Sequence, residues 1–446
     1  MKRSLMPLLL AAVICCLLSV AAFAGANVRI VRLSDVQGSV QIDRGTGQGF
    51  EKAFLNMPIT QGVKLKTGDD GRAEVEFEDN SIIHVVPNTE LQFTDLSLSD
   101  SGAKISTVDV GKGEAYVNFT GKKDDEFTVT FAHEKATLTH AAHFRLRVDQ
   151  DNAELAVFNG DVQIKGPSGD VQVSKKQTAT FDLTNNDKYQ VAKKVQEDPF
   201  DAWDKHEAEY HQRYEASNSY GSPYSYGYSD LNYYGNYMNY PGCGMCWQPY
   251  FTGMGWNPYM DGAWMLYPGY GYSWVSAYPW GWTPYHYGSW MFLPAYGWMW
   301  QPGNTWVAWN RVPPVLNAPR NYIPPRPPRI GPAVVAVGRG PTTSSLAAGT
   351  RPGSKLVLNR PTAGIGIPRG INNLGRVNRD FETRGQARVG VPGGMRGAAM
   401  TAAPTPTPRM GSMGAGRTGN MSPRMSMPSG RASSAPSRSG GTTPHK

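Results

Sequence analysis

From Val28 to about Val195 the apolar positions alternate with polar ones. Ala73-x-Val75-x-Phe77, Ala115-x-Val117-x-Phe119, Phe127-x-Val129-x-Phe131 and Phe144-x-Leu146-x-Val148 show it most clearly. Period two puts apolar side chains on one face of a strand and polar ones on the other. Turn chemistry separates the runs at Gly68-Asp69-Asp70-Gly71, Asp79-Asn80, Asn159-Gly160 and Gly166-Pro167-Ser168-Gly169. Asn-Gly suits a tight hairpin, whose two central residues both need positive φ. Many short strands without a helical period predict an all-β domain over 25–195, as a sandwich or a solenoid-like stack.

Over 196–216 the period changes. Asp198 can cap, Pro199 suits a first helical position, and Phe200, Trp203, Tyr210 and Tyr214 trace one face. This predicts a short connecting helix whose aromatic stripe docks on a neighbour.

A third pattern fills 217–313. Thirty of the residues 217–310 are Trp, Tyr or Phe, and only Asp230 and Asp261 are charged. Gly255-Trp256-Asn257-Pro258-Tyr259 recurs as Gly281-Trp282-Thr283-Pro284-Tyr285, and a second block places Trp247, Trp274 and Trp300 at spacings of 27 and 26. A constant period predicts stacked units of a small β-repeat module, none able to bury its apolar face alone. Each aromatic removes about 150–250 Å² from water on burial, so the module must fold on itself, cover another domain or meet a partner. Trp247, Trp274 and Trp300 are the expected core. Trp256 and Trp282 each stand two residues before a proline, a residue tolerated mainly at strand edges and turns. Together with Tyr259 and Tyr285 they form the candidate ligand-binding strip, suited to stacking on sugar rings.

Residues 314–446 are rich in Pro, Gly, Ser and Arg, a composition that predicts a disordered tail. The whole-chain charge of +8 conceals an asymmetry: residues 311–446 carry a net +18 and residues 25–310 a net −12. The first 24 residues read as a secretory leader: Lys2 and Arg3, an apolar run from Leu8 to Phe23, then Ala22-Phe23-Ala24. Export, periplasmic or extracellular, disfavours nucleic acid as the partner of the basic tail. It leaves anionic polymers or the chain's own acidic part as targets, and envelope polysaccharide or envelope proteins as partners of the whole. No later stretch is long and apolar enough to span a bilayer.

Gly62-x-x-x-x-Thr67-Gly68, Arg72-Ala73-Glu74-Val75-x-Phe77-x-Asp79-x-Ser81 and Pro87-Asn88-Thr89-Glu90-Leu91 together resemble the FecR-like domain family, named for a periplasmic regulator of ferric-citrate uptake. Val157-Phe158-Asn159-Gly160-Asp161-Val162 is similar to the family's V-x-x-G-x-V hairpin, and the resemblance covers roughly 30–185. It departs at Ala141-Ala142-His143-Phe144, where the family shows Gly-Thr-x-Phe, and at Lys176-Gln177, where Gly-Gln is common. Regulators of this family place an anti-sigma segment and a transmembrane helix before the β domain. Here the leader runs straight into strands, which implies a scaffold or binding module without its signalling partner. A periplasmic sensory component is the alternative. Asp201-x-Trp203 and the Gly-Trp-x-Pro-Tyr blocks are similar to an uncharacterised Trp/Tyr-rich family found behind FecR-like domains, a resemblance covering 198–313 that brings no activity.

No catalytic constellation emerges, so an enzyme is not expected. His133-Glu134 lacks the second histidine of a zinc protease, since residue 137 is Thr137 on a predicted strand. His140 and His143 fall on opposite strand faces. Asp149-x-Asp151-x-x-Glu154 lacks the fifth and sixth positions of a calcium loop. Cys243-Gly244-Met245-Cys246 invites redox, haem and zinc readings. The βαβ context, a histidine at 247 and two further cysteines are missing respectively. A local disulfide between Cys243 and Cys246 is favoured, with no metal or cofactor expected.

Overall fold

The computed structural model describes residues 29, 31–121, 124–215, 227–329, 335–338 and 355–391, all within one compact unit. The leader and residues 392–446 of the tail lie outside the described residues.

The alternating segment folds into two sheets that share one core, so of the two expected architectures it is the sandwich. One sheet runs Pro58–Ile59, Val31–Gln37, Arg72–Glu76, Ile82–Val85, the second half of Lys104–Phe119, Ala142–Val148, Asn152–Asn159, Thr178–Asp182 and Lys188–Ala192. The other runs Glu51–Lys52, Val40–Asp43, Lys64–Thr67, Glu90–Leu98, the first half of Lys104–Phe119, Glu126–Phe131, Glu134–Leu138, Asp161–Gly166 and Gly169–Ser174. The long strand Lys104–Phe119 therefore belongs to both. It changes sheet at Gly113, whose φ is +90° and where a Cβ would lie 2.5 Å from the Thr89 Cα. Only glycine meets both conditions. Val75, Val117 and Leu146 from the first sheet meet Leu65, Val108 and Ile164 from the second.

Asp201–Glu215 forms the expected helix. The Phe200 N–H donates to Asp198 Oδ1 at 2.8 Å and the Asp198 N–H to Asp201 Oδ2 at 2.9 Å, a reciprocal cap. Trp203 turns onto the outer face of the first sheet, against Val86 and Tyr116, and Tyr210 turns into the aromatic core. That outer face carries the polar half of each alternation. The helix covers it, so Arg32, Ser34, Glu74, Glu76 and His84 are buried.

The repeats become three hairpins: Gly235–Tyr240 with Gly244–Pro249, Gly262–Tyr267 with Gly271–Ser276, and Tyr287–Leu293 with Gly297–Trp306. The first and third join one sheet where Trp247 pairs with Trp300. Trp247, Trp274 and Trp300 are buried in equivalent places, as the period predicts. Each lies on a glycine across its own hairpin, Gly235, Gly262 and Gly288. These glycines repeat at the same spacings of 27 and 26, because any side chain there would meet the indole. The module also packs on the sandwich: Met265, Tyr267 and Val275 enter the sandwich core, and Asn56 Nδ2 donates to Tyr278 O at 2.7 Å.

The tail expectation needs correction over 355–391. Lys355–Leu358 and Ala387–Gly390 pair as strands, and Leu374–Arg384 is a helix. Ile365, Ile367, Ile371, Leu374 and Phe381 join the aromatic core. The Trp280 indole N–H donates to Ala363 O at 2.7 Å and the Tyr234 hydroxyl to Ile367 O at 2.8 Å. Averaged over the tail, composition hides this apolar island, which has enough buried surface to offset the entropy of ordering it.

Candidate functional site

The proposed strip does not exist as a surface. Trp256, Tyr259, Trp282 and Tyr285 are all buried, Trp282 fully so. The Trp256 indole N–H donates to the Tyr278 hydroxyl at 2.9 Å, and Tyr259 and Tyr285 meet edge to face at 5.3 Å. A proline marks an edge in the sequence pattern, but Pro284 stands in the first turn of the short helix Thr283–His286, a position that needs no N–H donor, and this turn dips into the core. The cysteine expectation fares better: Cys243 and Cys246 are joined as a disulfide. Among the described residues no group of three His, Cys, Asp or Glu side chains could hold a metal ion.

Between the outer face of the sandwich and the Asp201–Glu215 helix, the structure places a network of buried charges that sequence reasoning missed. Arg369, from the segment expected to be disordered, enters at its centre. Its Nη1 donates to Glu74 Oε1 at 2.9 Å and its Nη2 to Asp230 Oδ1 at 3.1 Å and Ser34 O at 3.1 Å. Its guanidinium stacks 4.5 Å from the Tyr210 ring centroid. Arg32 pairs with Glu76, Nε to Oε2 at 2.7 Å, and with Asp230. His211 Nε2 lies 3.0 Å from Glu74 Oε1, and His84 bridges Glu74 Oε2 at 3.1 Å and Asp204 Oδ1 at 2.7 Å. His143 Nε2 comes within 2.9 Å of Asp204 Oδ2.

The electrostatics follow from that geometry. Burial alone would push the Glu74 carboxyl up, yet Arg369, His211 and His84 outweigh it and hold it well below the usual carboxylate range. Asp230 is likewise lowered against burial by Arg369 and Arg32. Burial disfavours the His84 cation, but Asp204 and Glu74 reverse the sign and raise it to about 10. Asp35, buried near Glu207 and Glu74, is raised, with burial the first cause. Buried charges are tolerated only when paired in this manner.

A cleft of about 720 Å³ opens beside the network. Asn118, His143 and Phe158 line its sandwich side, and Lys205, Gln212 and Glu215 its helical side. His143 packs on the Phe158 ring at 5.0 Å between centroids. Amide donors and acceptors beside an aromatic surface form an arrangement suited to binding, and His143 and Asp204 are occupied with each other.

Residues 63–163 match the model of the family described as FecR protein. The matched segment lies within the sandwich. Residues 228–317 match a family of unknown function, DUF6600, so the FecR match is followed by a second family over the hairpins, in the order anticipated from the motifs. The FecR match spans both sheets and supplies Glu74, Glu76, His84 and His143 to the network. Glu207 and Arg369 fall outside both matches. No curated protein matches the chain. Two crystal structures of a candidate anti-sigma factor from Parabacteroides distasonis are similar in part, at 17% and 16% identity. Each covers 29% of this chain and 59% of that one, with a TM-score of 0.27. The chain thus spans about three fifths of the length of these relatives, and so slight a likeness carries no argument.

Proposed function

We propose that the protein is an exported, non-catalytic envelope protein in which the FecR domain and the aromatic hairpins form one rigid binding scaffold. The cleft between sandwich and helix is its recognition site. One observation carries this: the cleft has the volume of a ligand site, which runs from roughly 300 to 1,000 Å³, and is walled by elements that the buried network holds in place. Rigid walls reduce the entropy lost on binding. The aromatic hairpins serve as structural backing in this reading, so wall polysaccharide, if it binds, does so through the cleft and not through Trp256 or Trp282.

Co-sedimentation of the purified protein with isolated envelope fractions tests the proposal. Gln212→Arg combined with Asn118→Arg fills the cleft from both walls and should abolish retention, while Lys188→Glu, on the edge strand Lys188–Ala192 and outside the cleft lining, should leave it intact. Retention equal to wild type in the double variant would sink the cleft as the recognition site. Intact mass of the exported protein supplies the second check, with a chain beginning at Gly25 expected.

A further inference from the structure

The sheet built from the first and third hairpins has two chemically distinct faces. Register pairs Trp247 with Trp300 and Trp300 with Trp290, so all three indoles share the face turned to the aromatic core. The neighbouring positions necessarily share the opposite face. Met238 pairs with Cys246, and Met291 with Met299. Cys243, in the turn, joins this second face through its bond to Cys246, and Gln301 Nε2 donates to Cys243 O at 3.1 Å, holding the turn against the sheet. Cys243, Cys246, Met291 and Met299 then pack with Tyr240 as a separate buried cluster. Four of its five buried members carry sulfur.

We propose that this sulfur face is a soft-metal site gated by the disulfide, closed when Cys243 and Cys246 are oxidised and able to take one copper(I) ion when they are reduced. The balance is simple. A dithiol or phosphine reductant delivers two electrons, and with two protons the S–S bond becomes two thiols. Each thiol then releases its proton as its sulfur ligates the ion as a thiolate. The Cys-x-x-Cys spacing, with Cα atoms 6.2 Å apart, lets both sulfurs reach one ion, and the Met291 and Met299 thioethers complete a set without hard oxygen donors. Thiolate and thioether together select copper(I). Zinc, which takes thiolate, imidazole and carboxylate ligands, has no use for the two methionines.

The full chain, reduced with a phosphine, desalted without oxygen and titrated against copper(I) held by bathocuproine disulfonate, provides the test. The reduced protein should withdraw one equivalent from the coloured complex, and the oxidised protein none. Met291→Leu with Met299→Leu, a volume-conserving change that a core tolerates, should weaken binding by about tenfold or more. Tryptophan emission at the wild-type wavelength shows that this variant remains folded. Cys243→Ser with Cys246→Ser should abolish binding. Equal binding by oxidised protein overturns the proposal, as does wild-type affinity in the folded methionine variant, or displacement of copper(I) by an equal concentration of zinc.

Discussion

Arg369 and Asp230, 139 residues apart, meet with Nη2 and Oδ1 at 3.1 Å in the interior of the protein. Asp230 lies in the short helix Tyr228–Tyr234 that opens the aromatic segment, and Glu74, which receives Arg369 Nη1, lies in the sandwich. A single guanidinium from the basic half of the chain thus ties together elements from both parts of its acidic half. Of the targets expected for the tail's charge, the chain's own acidic part receives at least this residue.

Removing that cation should be severe. Arg369→Ala leaves Glu74 and Asp230 buried with fewer partners, and breaking a buried pair from one side costs about 3–5 kcal/mol. Urea denaturation followed by tryptophan emission measures it. A loss within about 0.5 kcal/mol, typical of a plain surface substitution, would show that the guanidinium is solvated.

The glycines opposite the indoles offer a second measurement. A Cβ on Gly262 would stand 2.5 Å from the Trp274 ring, whereas one on Gly255 meets nothing within 4 Å. Gly262→Ala should cost about 1–3 kcal/mol, the usual penalty of overpacking, and Gly255→Ala should be close to neutral. Trp274→Ala should cost about 3–5 kcal/mol. Because Trp282 is fully buried, Trp282→Ala should fall in the same range, contrary to the behaviour of an edge residue.

The histidines set the pH response. His84 is raised from 6.5 to about 10 against burial by Asp204 and Glu74. The stability it contributes is therefore complete below pH 6.5 and is lost as pH rises through about 10. Asp204 is lowered from 3.8 to about 2, His143 and His84 outweighing burial, so its contribution is present above 3.8 and vanishes as pH falls through about 2. Burial depresses His286 to about 4; unfolding takes up a proton there, and acidification from 6.5 to about 4 destabilises the fold. Thermal melts of His84→Gln should decline less steeply than wild type from neutral to about pH 10. Parallel declines would mean that His84 is neutral in the folded protein.

Much of this architecture is legible in the sequence, and the failures have physical causes. Alternation through Val75, Val117 and Leu146 is a local signal, and it gives the strands directly. The recurrence of Trp247, Trp274 and Trp300 gives the hairpins, since equivalent positions repeat with the chain's own period. Glu74 and His84 look solvated because alternation reports which face is polar, not whether a helix later covers it. Arg369 sits within Ile365-Gly366-Ile367-Pro368-Arg369-Gly370-Ile371, and its alternating isoleucines were the available signal. The Pro-, Gly-, Ser- and Arg-rich composition of the tail as a whole masks them. The short helices Tyr228–Tyr234 and Leu374–Arg384 were missed for a related reason, since both lie in segments whose bulk composition points elsewhere.

The 355–391 segment is a folded part of the scaffold, locked in through Arg369. Hydrogen exchange on the full-length protein, resolved to single amides over 360–375, tests it most directly. The Ala363 N–H donates to Phe251 O at 2.9 Å and the Ile371 N–H to the Tyr233 hydroxyl at 2.8 Å. These amides should exchange as slowly as those of the sandwich strands in wild type and much faster in Arg369→Ala. Exchange of Ala363 and Ile371 at the rate of an unstructured peptide in the wild-type protein would contradict the account.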